Sequence, residues 1–115
     1  MPQLIKLNEE LLRINSEKNT IEYSTTNGRT WSIRCNNQAA GRFVDLFFYK
    51  EELYACTSKG IYYSANQGRV WYRRCSAGVV GDFLNLQDNG NELLATTSRG
   101  IYSSTTGGRT WYKRS

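Results

Sequence analysis

STTNGRTW (24–31), SANQGRVW (64–71) and STTGGRTW (104–111) are three copies of one octapeptide, and their glycines, Gly28, Gly68 and Gly108, recur every 40 residues. The likeness extends well beyond the motif. ELYACTSKGIYYSANQGRVWYRRC (52–75) and ELLATTSRGIYSSTTGGRTWYKRS (92–115) agree at 14 of 24 positions without a gap. The first copy is more worn. Its Glu9-Glu10-Leu11-Leu12 corresponds to Glu51-Glu52-Leu53-Tyr54 at an offset of 42, which calls for a two-residue insertion around Ser16–Asn19. The chain therefore reads as one domain of three units, about 1–35, 42–75 and 82–115.

Each unit carries the signals of four short strands. In the second these are Phe43–Tyr49, Leu53–Thr57, Ile61–Ser64 and Val70–Cys75; in the first, the opening strand falls at about residues 3–8. Aromatic and β-branched residues dominate the strands, while glycine, asparagine and charged pairs fill the gaps. Ser58-Lys59-Gly60 and Ser98-Arg99-Gly100 are tight-turn signals, and Asn27-Gly28 is a strong hairpin signal. No helical period is present. A four-stranded antiparallel unit of this length is the size of a propeller blade, which buries both faces against its neighbours. That explains why apolar residues do not alternate in Leu46-Phe47-Phe48-Tyr49. The expected fold is all-β: three propeller blades, with a β-prism or small barrel as alternatives.

Bulk properties narrow the field. The chain has 115 residues, one proline and a net charge of +5, and it reads as globular. Its basic residues are spread along the chain in runs of two at most, so nucleic acid is not an expected partner. The three cysteines, Cys35, Cys56 and Cys75, form no disulfide framework and no CxxC pair, and histidine is absent. No zinc site or other cofactor is expected. The cysteines read as small buried hydrophobes. With no export signal in MPQLIKLNEELL and no membrane-spanning apolar run, the expected compartment is the cytoplasm.

The octapeptide resembles the Asp-box, or bacterial neuraminidase, repeat Ser-x-Asp-x-Gly-x-Thr-Trp, which joins the third and fourth strands of a blade. Ser24, Gly28, Thr30 and Trp31 match it, as do Ser64, Gly68 and Trp71, and Ser104, Gly108, Thr110 and Trp111. All are expected to be structural, the tryptophans as packing. The position that names the box holds Thr26, Asn66 and Thr106, never aspartate. Propellers with this repeat include sialidases, receptors, lectins and assembly factors, and fold alone does not choose among them.

Three blades leave two flanks uncovered, each expected to expose a row of apolar side chains. Two chains related by a twofold axis would close a six-bladed ring, so a homodimer is the expected partner arrangement. The alternative is a structural subunit completing a larger propeller.

The expected function is non-enzymatic: a binding module for a glycan or protein at the central mouth, on the face opposite the motif hairpins. Candidate ligand-binding residues there are Lys18, Lys59 and Arg99, at related turns in the three units, with Arg42 and Asp82 between units. Asp45, the acidic residue inside an apolar strand, is a further candidate. The rival reading is a remnant of a sialidase-like hydrolase. It would need two carboxylates on one pocket, and the proline of the sialidases' Arg-Ile-Pro motif has no counterpart beyond Pro2.

Overall fold

A computed structural model describes residues 4–7, 9–36, 41–76 and 81–114. They form twelve strands: β1 (Leu4–Leu7), β2 (Glu10–Asn15), β3 (Thr20–Ser24), β4 (Ser32–Cys35), β5 (Phe43–Tyr49), β6 (Glu52–Thr57), β7 (Gly60–Ser64), β8 (Tyr72–Ser76), β9 (Phe83–Asp88), β10 (Leu93–Thr97), β11 (Gly100–Ser104) and β12 (Tyr112–Lys113). These make three separate four-stranded sheets, each pairing its strands antiparallel in chain order. The inner strands converge, since β5 packs against β1 and β2 on one side and β9 on the other.

The register explains the irregular apolar pattern. Each middle strand turns alternate residues to opposite flanks, and in the second blade both flanks are buried. On β6, Leu53 and Ala55 join Phe43, Leu46, Tyr62 and Trp71 against Leu7, Leu12, Ile14, Ile21 and Cys35 of the first blade. Tyr54 and Cys56 face the other way and pack with Ile61 and Tyr49 against Phe83, Leu86, Leu93 and Ala95 of the third. Two layers of side chains thus hold the blades together.

The worn first copy differs where its sequence does. Its β2–β3 turn holds the four residues between Asn15 and Thr20, whereas Thr57 pairs with Gly60 across only two. The fourth strand of the second blade begins at Tyr72 rather than Val70, because Arg69, Val70 and Trp71 belong to the motif turn. Residues 3 and 8, the ends of the expected first strand, lie outside the described residues.

The outer flanks expose apolar side chains as expected, Leu4 and Ile33 on the first blade and Ile101 and Tyr112 on the third, but charged and polar residues interrupt the rows. Where Ala55 pairs with Tyr62 and Ala95 with Tyr102 to pack against the preceding blade, the first blade pairs Arg13 with Glu22. Arg13 donates to Glu22 at 2.8 Å and lies 4.0 Å above the Trp31 ring, and Asn15 adds a bond to Glu22 at 3.1 Å. On the third blade, Thr96 and Gln87 stand where Cys56 and Phe47 stand in the second.

Candidate functional site

The motif hairpin is built from its own side chains. Ser24 Oγ accepts the amides of Thr26 and Gly28 at 3.2 and 2.9 Å, and Trp31 Nε1 donates to the Gly28 carbonyl at 3.1 Å. Ser64 and Ser104 repeat this with Gly68 and Gly108, and so do Trp71 and Trp111. The residues in the aspartate position keep an acceptor there. Thr26 Oγ1, Asn66 Oδ1 and Thr106 Oγ1 each take the backbone amide four residues on, that of Thr30, Val70 and Thr110, at 2.9 Å. An amide that would otherwise go unpaired needs an oxygen at that point, not a charge. Gly28, Gly68 and Gly108 have φ of 90, 92 and 92°, a region closed to other residues without strain.

A second repeated device joins the blades. Arg34 and Arg74 are almost wholly buried, with side chains 3 and 4% exposed, and pair with Glu10 at 2.8 Å and Glu52 at 3.0 Å. Each stacks on a tyrosine, Tyr23 at 4.0 Å and Tyr63 at 3.9 Å. Each then reaches into the next blade's hairpin: Arg34 Nη1 donates to the Gln67 carbonyl at 3.0 Å, and Arg74 Nη1 to that of Gly107 at 2.8 Å. Arg114 pairs with Glu92 in the same way on the third blade. The signal was present in the sequence, since Arg34, Arg74 and Arg114 are 40 residues apart.

The predicted mouth residues lie on one edge, opposite the hairpins. Lys18, Lys59 and Arg99 are exposed at the β2–β3, β6–β7 and β10–β11 turns. The inter-blade connections return to this edge. The Arg42 carbonyl accepts the Ser58 amide at 3.0 Å and the Asp82 carbonyl accepts that of Ser98 at 3.0 Å. Arg42 also donates through Nη2 to the Ser16 carbonyl at 2.8 Å, so it staples the first two blades. The Asn19 amide group bridges the same seam, donating to the Gly41 carbonyl at 2.9 Å and accepting the Phe43 amide at 2.8 Å.

Asp45 is apart from that edge. It sits on β5 beside a bulge, opposite Cys56, on the flank facing the third blade. It is 1% exposed, and neither carboxylate oxygen forms a close hydrogen bond with the described residues. Burial pushes its pKa up to about 6. Burial, and secondarily the nearby Asp45 charge, pushes the Cys56 thiol up as well. Cys35, Cys56 and Cys75 are not joined in disulfides among the described residues.

A cleft of about 370 Å³ opens at the hairpin edge between the first two blades, lined by Lys6, Leu7, Phe48, Glu51, Leu53, Ser64, Ala65 and Gln67. Nothing in the sequence pattern marked it, because it arises from small differences between copies. Among the described residues no group of three or more metal-ligating side chains occurs, and no helix is long and apolar enough to cross a membrane.

No protein-family model and no curated protein matches the chain. A solved structure does: YCF48 from Cyanidioschyzon merolae, a β-propeller protein, superposes with a TM-score of 0.66 at 19% identity. The match covers 97% of this chain and 42% of that one, so the chain spans less than half the length of its structural neighbour. At that identity the likeness is one of fold. Three antiparallel four-stranded sheets, packed flank to flank around converging inner strands and superposable on a propeller, make this an all-β chain of propeller blades.

Proposed function

We propose that the chain is a non-enzymatic, Asp-box-type binding module, in which two copies close head to tail into a six-bladed ring with a glycan or protein ligand at its mouth. The observation that carries the reading is the Arg114–Glu92 pair on the outer flank of the third blade. It repeats the device with which Arg34 and Arg74 grip the following hairpin. The first blade offers a hairpin of the same kind: Asn27 holds φ of 60°, alongside 65° at Gln67 and 69° at Gly107. The facing flanks are mixed: Leu4 and Ile33 accompany Arg13 and Glu22 on one, and Ile101 and Tyr112 accompany Thr96 and Gln87 on the other, so the joint would bury apolar surface together with charge.

Ring closure would double the exposed cations Lys18, Lys59 and Arg99 around one mouth, suited to an acidic glycan or an acidic protein surface. A hydrolytic role is disfavoured by what the carboxylates already do: Glu10, Glu22, Glu52 and Glu92 are all held by arginines.

Light scattering on a sizing column tests the assembly. A mass of twice 13.2 kDa that falls to 13.2 kDa on Arg114→Ala supports the ring. A monomer at all concentrations overturns it and favours a blade supplied by another chain, a reading that the greater length of YCF48 also supports. For the mouth, Lys59→Ala with Arg99→Ala should weaken binding on an acidic glycan array; unchanged binding would move the site elsewhere.

A further inference from the structure

We infer that the cleft at the hairpin edge between the first two blades is a binding site for a peptide segment carrying a large apolar side chain. The cleft owes its existence to two residues. At the junction of the second and third blades the corresponding space is filled by Tyr49 and Tyr54, whose hydroxyls donate to the Gly90 and Gly107 carbonyls at 3.1 and 2.8 Å. The first blade carries Leu7 and Leu12 in their place. Leu7 stands opposite Glu10 as Tyr49 stands opposite Glu52, and Leu12 opposite Tyr23 as Tyr54 opposite Tyr63. The missing rings leave about 370 Å³ open to solvent.

The lining defines the occupant. Its floor is Leu7 and Leu53, 6 and 1% exposed, and Phe48 stands at the rim, 49% exposed. A space of this size, near the lower end for ligand pockets, suits one side chain. An aliphatic or aromatic side chain covers that apolar floor and stacks on Phe48. Lys6 and Glu51 also line the cleft, and neither forms an ion pair or side-chain hydrogen bond with the described residues. They suit an acidic and a basic residue beside the anchor. Lys50 and Glu51 hold φ of 48 and 69°, a two-residue turn that glycine and asparagine ordinarily occupy, so strain is retained at the rim. The cleft lies within one chain, and the inference stands whether or not two chains close a ring.

The test is an NMR titration with the capped peptides Ac-Asp-X-Lys-NH2, X being Trp, Leu or Ala. The Trp peptide should bind about tenfold or more tightly than the Ala peptide and shift the resonances of Leu7, Leu53, Ala65 and Gln67. Leu7→Tyr installs the residue that fills the other junction and should abolish binding. Phe48→Ala, at an exposed position, should weaken binding and leave the spectrum otherwise unchanged. Equal affinity for Trp and Ala, unchanged binding in a folded Leu7→Tyr variant, or no shifts at millimolar peptide would overturn the inference. So would a methyl pyranoside that shifts these resonances when the peptides do not.

Discussion

Arg74 in the second blade donates to the carbonyl of Gly107, thirty-three residues away in the hairpin of the third, at 2.8 Å. The same guanidinium is held by Glu52 and covers Tyr63, so one side chain fixes a strand, an ion pair and the next blade. Arg74→Ala should cost about 2–4 kcal/mol, since it removes the cation from a part-buried carboxylate and one of the two donors, Arg74 and Tyr54, that reach the Gly107 carbonyl. The loss should exceed that of Arg114→Ala in the single chain, about 0–1 kcal/mol for an exposed pair. Urea denaturation of both variants checks the order; equal losses would remove the inter-blade role.

In the motif hairpin, the acceptor oxygen should matter and the charge should not. Thr26→Val keeps the shape but orphans the Thr30 amide, and should cost about 1 kcal/mol. Asn66→Asp should be near neutral and Asn66→Ala should lose about 1 kcal/mol, because only the first keeps an acceptor for Val70. Thermal unfolding of the three variants measures this directly.

Asp45 makes stability depend on pH in a known sense. Its pKa rises from 3.8 to about 6 on folding, so the native state binds the proton more tightly. Its protonated form is favoured by burial, and stability from this group falls as pH rises from about 4 through about 6. Asp45→Asn should therefore raise stability at pH 7.5 by about 1–3 kcal/mol and flatten the profile between those values. The third blade already carries Asn85 at this position. A variant no more stable than the parent at pH 7.5 would mean that the carboxylate is solvated.

Gly41 carries φ of 84°, and a Cβ built on it would lie 2.6 Å from Ser58 Oγ and 2.9 Å from the Lys59 side chain. Gly41→Ala should destabilise by about 1–3 kcal/mol through left-handed strain and the collision together. It should also displace Lys59 at the predicted mouth, seen as shifted amide resonances for Ser58 and Lys59. An unperturbed spectrum would uncouple the connection from the turn.

The fold was legible because its signals are periodic. The glycines at 28, 68 and 108 set the repeat, and Ser16–Asn19 marked the one insertion that the β2–β3 turn contains. What escaped was relational. Arg13 and Glu22 look like any surface charges until their register shows that they stand where Ala55 and Tyr62 pack. Arg74 looked like half of a basic cluster, yet it is buried while Arg73 is exposed, because successive strand residues face opposite ways. The edge carrying Lys18, Lys59 and Arg99 followed from strand order alone, whereas the cleft beside Leu7 depends on two leucines, Leu7 and Leu12, standing where the next blade has tyrosines.

The seams have a consequence for how such a chain can change length. Both arginine joints, from Arg34 to Gln67 and from Arg74 to Gly107, link positions the same step apart. Duplicating residues 42–81 would insert a blade whose own arginine meets the hairpin ahead and whose own hairpin meets the arginine behind. Growth by whole blades thus leaves no arginine joint unmatched, whereas adding or deleting part of a blade breaks that step.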